Sequence, residues 1–302
     1  MPTQAIRAQT KRILFTIIYL VLRMDFSSVF PVLKKYTYLN TAYSGLLSAD
    51  IAKWRTAHDK EFVEGGSNFK ETNSRVFHQL RSNLASMFDV KEENTFLVPN
   101  FSIGFNTLLN GLDKGHRFLL LKNDYPSIVD PVTRMGFDFQ EVPIDDKMEE
   151  HILDAIEKFK PSVFSFSMVQ YISGLRMNGD FIKKIKKDYP GLLIIADGTQ
   201  FTGTTAFNFS SSGLDALVGS GYKWLLGGYG NGYVFLSNQM KEALYSGVKN
   251  KNANLLSDDK NYLSMYFEPG HLDSLNFGSL GHGLNYLQSL GLDNIEKTNH
   301  QL

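Results

Sequence analysis

Six short apolar runs constrain this chain more than any other feature: residues 95–99, 118–121, 162–168, 192–196, 216–219 and 232–236. Each is rich in Phe, Leu, Ile or Val and is bounded by turn-forming residues, the pattern of strands buried on both faces. Amphipathic stretches lie between several of them, at 73–88, 103–112, 148–159 and 179–188. In the last, Phe181, Ile182 and Ile185 share one face while lysines occupy the other. Strands alternating with helices predict an α/β fold, a mostly parallel sheet covered by helices on both sides. With 302 residues, 43% of them hydrophobic, the chain can bury a large core.

Ligands of such sheets bind beyond the carboxyl ends of the strands. The residues there form a set. Asn100-Phe101-Ser102 follows the first run and opens a helix, where a serine and backbone N–H groups make an anion site. Asn123-Asp124-Tyr125-Pro126 follows the second run, and Val169-Gln170-Tyr171-Ile172-Ser173-Gly174 the third. Asp197-Gly198-Thr199-Gln200 and Ser220-Gly221-Tyr222-Lys223 follow the fourth and fifth. Singly, each has a plain structural explanation: Ser102 a helix cap, Tyr125 turn packing, Asp197-Gly198 a turn dipeptide, Lys223 a solvated hairpin lysine. Five such coincidences in register after five successive strands point instead to a site.

Lys223 is the most telling member. It stands among Tyr222, Trp224, Leu225 and Leu226, where an unpaired ammonium is costly to bury. Desolvation lowers an amine's proton affinity and makes it a nucleophile, as Schiff-base chemistry requires. The glycines from Gly227 to Gly232 would let the chain turn sharply back into the next strand.

Several classes of function are disfavoured. Thirty-one basic and 31 acidic residues cancel, leaving no electrostatic footprint for nucleic acid or an anionic membrane. The seven histidines show no metal-ligand spacing, so no metal is expected, and the absence of cysteine removes thiolate sites and fits a cytoplasmic, reducing location. No P-loop occurs, and no strand leads into a G-x-G-x-x-G with a helix behind it. Residues 11–23 contain an apolar run too short to span a bilayer, which needs about 20 residues. Residues 1–23 are therefore expected to be a leader or translated sequence upstream of the true start.

The sharpest segments are Ala196-Asp197-Gly198-Thr199-Gln200 and Ser220-Gly221-Tyr222-Lys223-Trp224, with the lysine 26 positions after the carboxylate. With that spacing, the chain from about Tyr36 onwards resembles the class V aminotransferases of the fold-type I pyridoxal-phosphate enzymes. That group also holds cysteine desulfurases, kynureninases and isopenicillin N epimerase-like proteins. The resemblance implies a seven-stranded type of sheet, pyridoxal 5'-phosphate (PLP) as cofactor and a homodimer acting on an amino acid. Lys223 looks like the Schiff-base lysine, Asp197 like the partner of the pyridine nitrogen, and Gln200 like the donor to the ring's phenolic oxygen. Tyr125 falls where the family stacks an aromatic residue, often histidine. Ser102, Ser220 and Tyr222 would hold the phosphate, and Gln170 matches a residue beside the ring oxygen. Phe267-Glu268-Pro269-Gly270-His271 resembles a family segment whose threonine reaches the neighbouring subunit, here replaced by His271.

The expected organisation is an N-terminal segment at 24–50, a cofactor-binding large domain at 51–275, and a linker helix from 276 to 302 leading to an incomplete small domain. The expected reaction is transamination. A PLP-dependent lyase of the cysteine desulfurase or selenocysteine lyase kind, or an epimerase, is the alternative, and a non-catalytic relative of the same fold is the second.

Overall fold

The computed structural model describes residues 25–246 and 262–301. The expected leader at 1–23 lies outside them. Seven strands form one sheet: β1 (Thr95–Val98), β2 (Arg117–Leu121), β3 (Asp138–Val142), β4 (Val163–Ser167), β5 (Leu193–Asp197), β6 (Ala216–Ser220) and β7 (Gly232–Leu236). Their spatial order is β1-β7-β6-β5-β4-β2-β3. All pairs from β6 through β5, β4 and β2 to β3 are parallel, while β7 runs antiparallel to both β6 and β1. The sheet is therefore mixed but mostly parallel.

Helices cover both faces, as parallel strands require. One layer holds α2 (Phe69–Phe88), α5 (Met148–Phe159), α6 (Gly179–Asp188) and α9 (Ser274–Leu290), packed on Leu97, Leu119, Phe164, Ile194, Leu217 and Phe235. The other holds α3 (Phe101–Gly111), α4 (Pro126–Arg134), α7 (Asn238–Ala243) and α8 (Ser264–Phe267), packed on the alternate set Phe96, Phe118, Val163, Ile195, Val218 and Val234. Residues one apart along each strand thus belong to opposite cores, the period-two consequence of the pleat. Outside these layers α1 (Ala49–Gly65) lies against α9, and α10 (Leu292–Asn299) follows it. The linker helix expected from residue 276 is interrupted, since Gly291 takes φ 79° between α9 and α10.

Several described elements were not foreseen from the pattern, β3, α1 and α4 among them. β3 reads Asp-Phe-Gln-Glu-Val on an outer edge, mostly solvent-facing, so it lacks an apolar run. α1 is largely polar and buries only Ile51. α4 begins at Pro126 and carries a second proline, Pro131, inside it. Among the described residues, no helix is long and apolar enough to cross a membrane.

Candidate functional site

Parallel strands put all their carboxyl ends on one side, and β7, running the other way, brings its amino end there too. A cavity of about 510 Å3 opens at this edge. Its wall includes Ser102, Tyr125, Asp197, Gln200, Tyr222 and Lys223.

Asp197 ends β5 with only 6% of its surface exposed. The Thr199 N–H donates to its Oδ1 at 2.8 Å. Burial pushes the Asp197 carboxyl up to about 7; hydrogen bonds from Thr199 oppose this, the Asp124 charge adds to it, and Lys223 counteracts it. On the adjacent strand β6, Ser220 donates its N–H to Thr199 Oγ1 (3.1 Å), and its own Oγ accepts from the Phe101 N–H (2.9 Å). Ser220 thereby satisfies one of the orphan donors at the start of α3, and Asn100 Oδ1 takes the Ile103 N–H at 3.0 Å. The Ser102 hydroxyl, in the first turn of α3, donates to Ser127 Oγ in the first turn of α4 at 3.0 Å. Two helix N-termini and their serines converge on this side of the cavity, a favourable field for an anion.

Lys223 is 8% exposed. Burial pulls its ammonium below the usual range, with Asp197 acting in the opposite direction. Its Nζ lies 5.6 Å from the centroid of the Tyr222 ring and makes no hydrogen bond among the described residues. Tyr222 stacks on Tyr229 with centroids 5.0 Å apart, and burial with the neighbouring Tyr125 and Asp197 pushes its phenol up to about 12. It stays neutral. The loop carrying the lysine is pinned at its base by Gly221 N–H to Asn231 O (2.9 Å), and Gly228 and Gly230 take φ 70° and 83° in its turn. From above, Gly45 donates its N–H to Tyr222 O at 2.8 Å, and a Cβ there would stand 2.0 Å from Lys223 O. Only glycine permits that approach.

The aminotransferase class V family model matches residues 49–302. The chain belongs to that family. A probable cysteine desulfurase of Ureaplasma parvum serovar 3 is 23% identical over 299 residues, covering 92% of this chain and 74% of the relative. Two solved structures of C-DES are each 19% identical to this class V protein. One is a mutant with glycine covalently linked to the PLP cofactor, with a TM-score of 0.76 over 88% of this chain and 74% of that one. The other is the cystine C–S lyase complexed with its reaction product cysteine persulfide, with a TM-score of 0.77 over 87% and 74%. The shared fold is the mixed seven-stranded sheet with its flanking helices.

Within this class V site, Ser102, Tyr125, Asp197, Gln200, Ser220, Tyr222 and Lys223 all border the cavity, whereas Gln170 does not. The Gln170 amide folds back on its own loop: Oε1 accepts from Ile172 N–H (2.7 Å) and Ser173 N–H (2.6 Å), and Nε2 donates to Asn123 O (3.2 Å). Gln200 faces the cavity but is also committed, donating to Ala42 O (2.8 Å) and accepting from Trp224 Nε1 (2.9 Å). His271 lies apart, beside a separate cavity with His58 and Ser274. Its neighbour Glu268 is structural. It pairs with Arg81 Nη2 at 2.8 Å and takes the Leu97 N–H of edge strand β1 at 2.7 Å. Asp124 and Thr199 stand in the strand-end set read from the sequence but were given no role there, and Ser167 was read only as part of a strand; all three hold this edge together. Their strand-end positions were the available signal.

Proposed function

We propose that this class V protein is a PLP-dependent enzyme that cleaves a carbon–sulfur bond in a sulfur-bearing amino acid. The observation that carries the reading is a desolvated lysine without a hydrogen-bond partner, facing a buried carboxylate across neighbouring strands β6 and β5. The donor set fits PLP. Lys223 offers an amine, Asp197 a carboxylate for the pyridine nitrogen, and Ser102, Ser220 and Tyr222 surround the α3 N-terminus where a phosphate would sit. Tyr125 would face the ring, and Gln200 keeps an amide hydrogen available to its phenolic oxygen. Gln170 would support the site through its loop. Bound PLP would supply an electron sink conjugated to the substrate α-carbon.

The chain's own residues would do the rest. Lys223, less basic than an exposed lysine, would hold the cofactor and, once displaced by the substrate amine, take the α-proton. Asp197 would keep a proton on the pyridine nitrogen. No histidine lines the cavity among the described residues, so Tyr125 stacks without sharing in proton transfer. These 302 residues contain no cysteine, so none of them would supply a thiol to take up the sulfur. The named relatives, a probable cysteine desulfurase and a cystine C–S lyase, support carbon–sulfur cleavage over the transamination expected from sequence. Transamination remains the second reading, favoured by the description of the family model itself.

One assay separates them. Incubated with PLP, the protein should convert cystine to pyruvate, ammonia and cysteine persulfide, or cysteine to pyruvate, ammonia and sulfide, or, with an added thiol to accept the sulfur, cysteine to alanine and a persulfide, in each case in equal amounts and without consuming a 2-oxo acid. Accumulation of pyridoxamine phosphate with 2-oxo-acid-dependent turnover would establish transamination instead. For the homodimer, support comes from exposed apolar residues on the segment over the lysine loop and beside it, including Leu39 at 89%, Tyr43 at 75% and Tyr229 at 63%.

A further inference from the structure

Asp124 does not line the cavity, yet the ends of three strands around it are tied through its carboxylate. It is 4% exposed, and it is paired with no lysine or arginine among the described residues. Three donors converge on its carboxylate. The Ser167 hydroxyl donates to Oδ1 at 2.6 Å, the Ser167 N–H to Oδ2 at 2.8 Å, and the Tyr125 N–H to Oδ1 at 2.7 Å. Ser167 in turn is the register partner of Asp197 where β4 pairs with β5, and the next residue, Met168, donates its N–H to Asp197 O at 2.9 Å. One carboxylate therefore ties the ends of β2, β4 and β5 together. It fixes the backbone of Tyr125, whose ring would lie against a cofactor face, relative to the carboxylate that would meet the cofactor's nitrogen.

An asparagine would not reproduce this arrangement. It has one acceptor oxygen, so its NH2 would confront one of the three donors. A buried anion without a counter-ion is expensive unless it is well hydrogen-bonded. Placed beside a second buried carboxylate, it raises the negative potential and favours a proton or a cation at that point.

We propose that Asp124 is a positioning residue. With Ser167 it sets the separation of Tyr125 from Asp197, and its buried charge holds the proton that the Asp197 side of the site must keep on a bound pyridine nitrogen. This rests on the PLP reading above, but half of it concerns the chain alone. The titratable groups facing Asp197 are Asp124, Lys223, Tyr222 and Tyr233. Both tyrosines are pushed upward by burial and are neutral near pH 7, so within that range Asp124 and Lys223 are the charges that act on it.

The test uses the full chain with 13C-labelled aspartate, followed by NMR against pH, first without cofactor and then with PLP labelled with 15N in its ring. In Asp124→Asn the Asp197 titration midpoint should move down by about one unit, roughly tenfold in proton affinity. With PLP bound, the 15N shift should report a smaller protonated fraction than in the wild type. Asp124→Glu, which keeps the charge, should restore the midpoint. Ser167→Ala keeps the charge but loses the hydroxyl bond; it should leave the midpoint in place and weaken PLP binding several-fold. It also serves as the reference if Asp124→Asn does not fold. An unmoved Asp197 midpoint in folded Asp124→Asn, or wild-type PLP affinity in Ser167→Ala, would overturn the proposal. Failure of the wild type itself to bind PLP would instead sink the cofactor reading and leave the cofactor-free titration as a separate result.

Discussion

Lys223 shows how a residue's chemistry is set by what surrounds it rather than by its type. Exposed, it would be an ordinary ammonium; between Tyr222, Trp224 and the roof made by Gly45, it loses water and gains no hydrogen bond in return. Borohydride reduction of the PLP-loaded protein should therefore fix the cofactor's mass on the peptide containing Lys223. Lys223→Ala should lose both that adduct and at least a thousandfold in turnover, on the order expected for removing a covalent catalyst. Peptide mass spectrometry and steady-state kinetics check the two outcomes. Lys223 and Asp197 were legible in the sequence because strand-end positions in parallel sheets are few and chemically marked. Asp124 and Ser167 were not, since their meaning lies in a hydrogen bond between strands 43 positions apart. Gln170 shows the opposite difficulty. Its position in the chain matched a family residue, but its amide had three donors closer at hand than the cavity.

At the scale of elements, the edges of the sheet behave differently from its centre. β1 is a buried edge strand, and its outward Leu97 N–H would be an unpaired donor were it not taken by Glu268, itself held by Arg81. Removing the carboxylate strands both a backbone donor and a guanidinium, so Glu268→Ala should cost about 3 kcal/mol. Urea unfolding followed by circular dichroism measures this, and PLP affinity should change much less than stability, because the pair lies away from the cavity. The central strands β4 to β7 were readable from sequence because burial on both faces demands continuous apolar runs. β3 escaped because an edge strand with mostly solvent-facing side chains carries charges where a central strand cannot. α1 escaped for a related reason: a helix that buries one residue has almost no apolar stripe to detect.

For the whole molecule, the buried carboxyls make stability depend on pH in a direction opposite to ordinary acid denaturation. Asp197 keeps its proton in the folded chain to about 7, but in the unfolded chain loses it near 3.8. Between those values the native state binds the extra proton, so the free energy of unfolding falls as pH rises through this window, by up to about 4 kcal/mol. Asp124, also raised by burial, acts with the same sign, while His116 and Glu296, both lowered, act against it. The contribution of Asp197 is isolated by comparison with Asp197→Asn. Without cofactor, the stability advantage of the wild type over that variant should shrink between pH 4 and pH 8. A constant difference across the range would show that Asp197 is ionised throughout.

The antiparallel course of β7 has a consequence for turnover. Because β6 delivers the chain to the cavity and β7 takes it away from the same edge, Lys223 is tethered on both sides within a loop closed by Gly221 and Asn231. A lysine released from a cofactor on such a short leash has nowhere to diffuse. Its amine remains at an effective molarity far above that of any amine in solution. Added alkylamines would then compete for the cofactor only poorly in the intact protein, and would stand in for the missing side chain only once Lys223 had been removed.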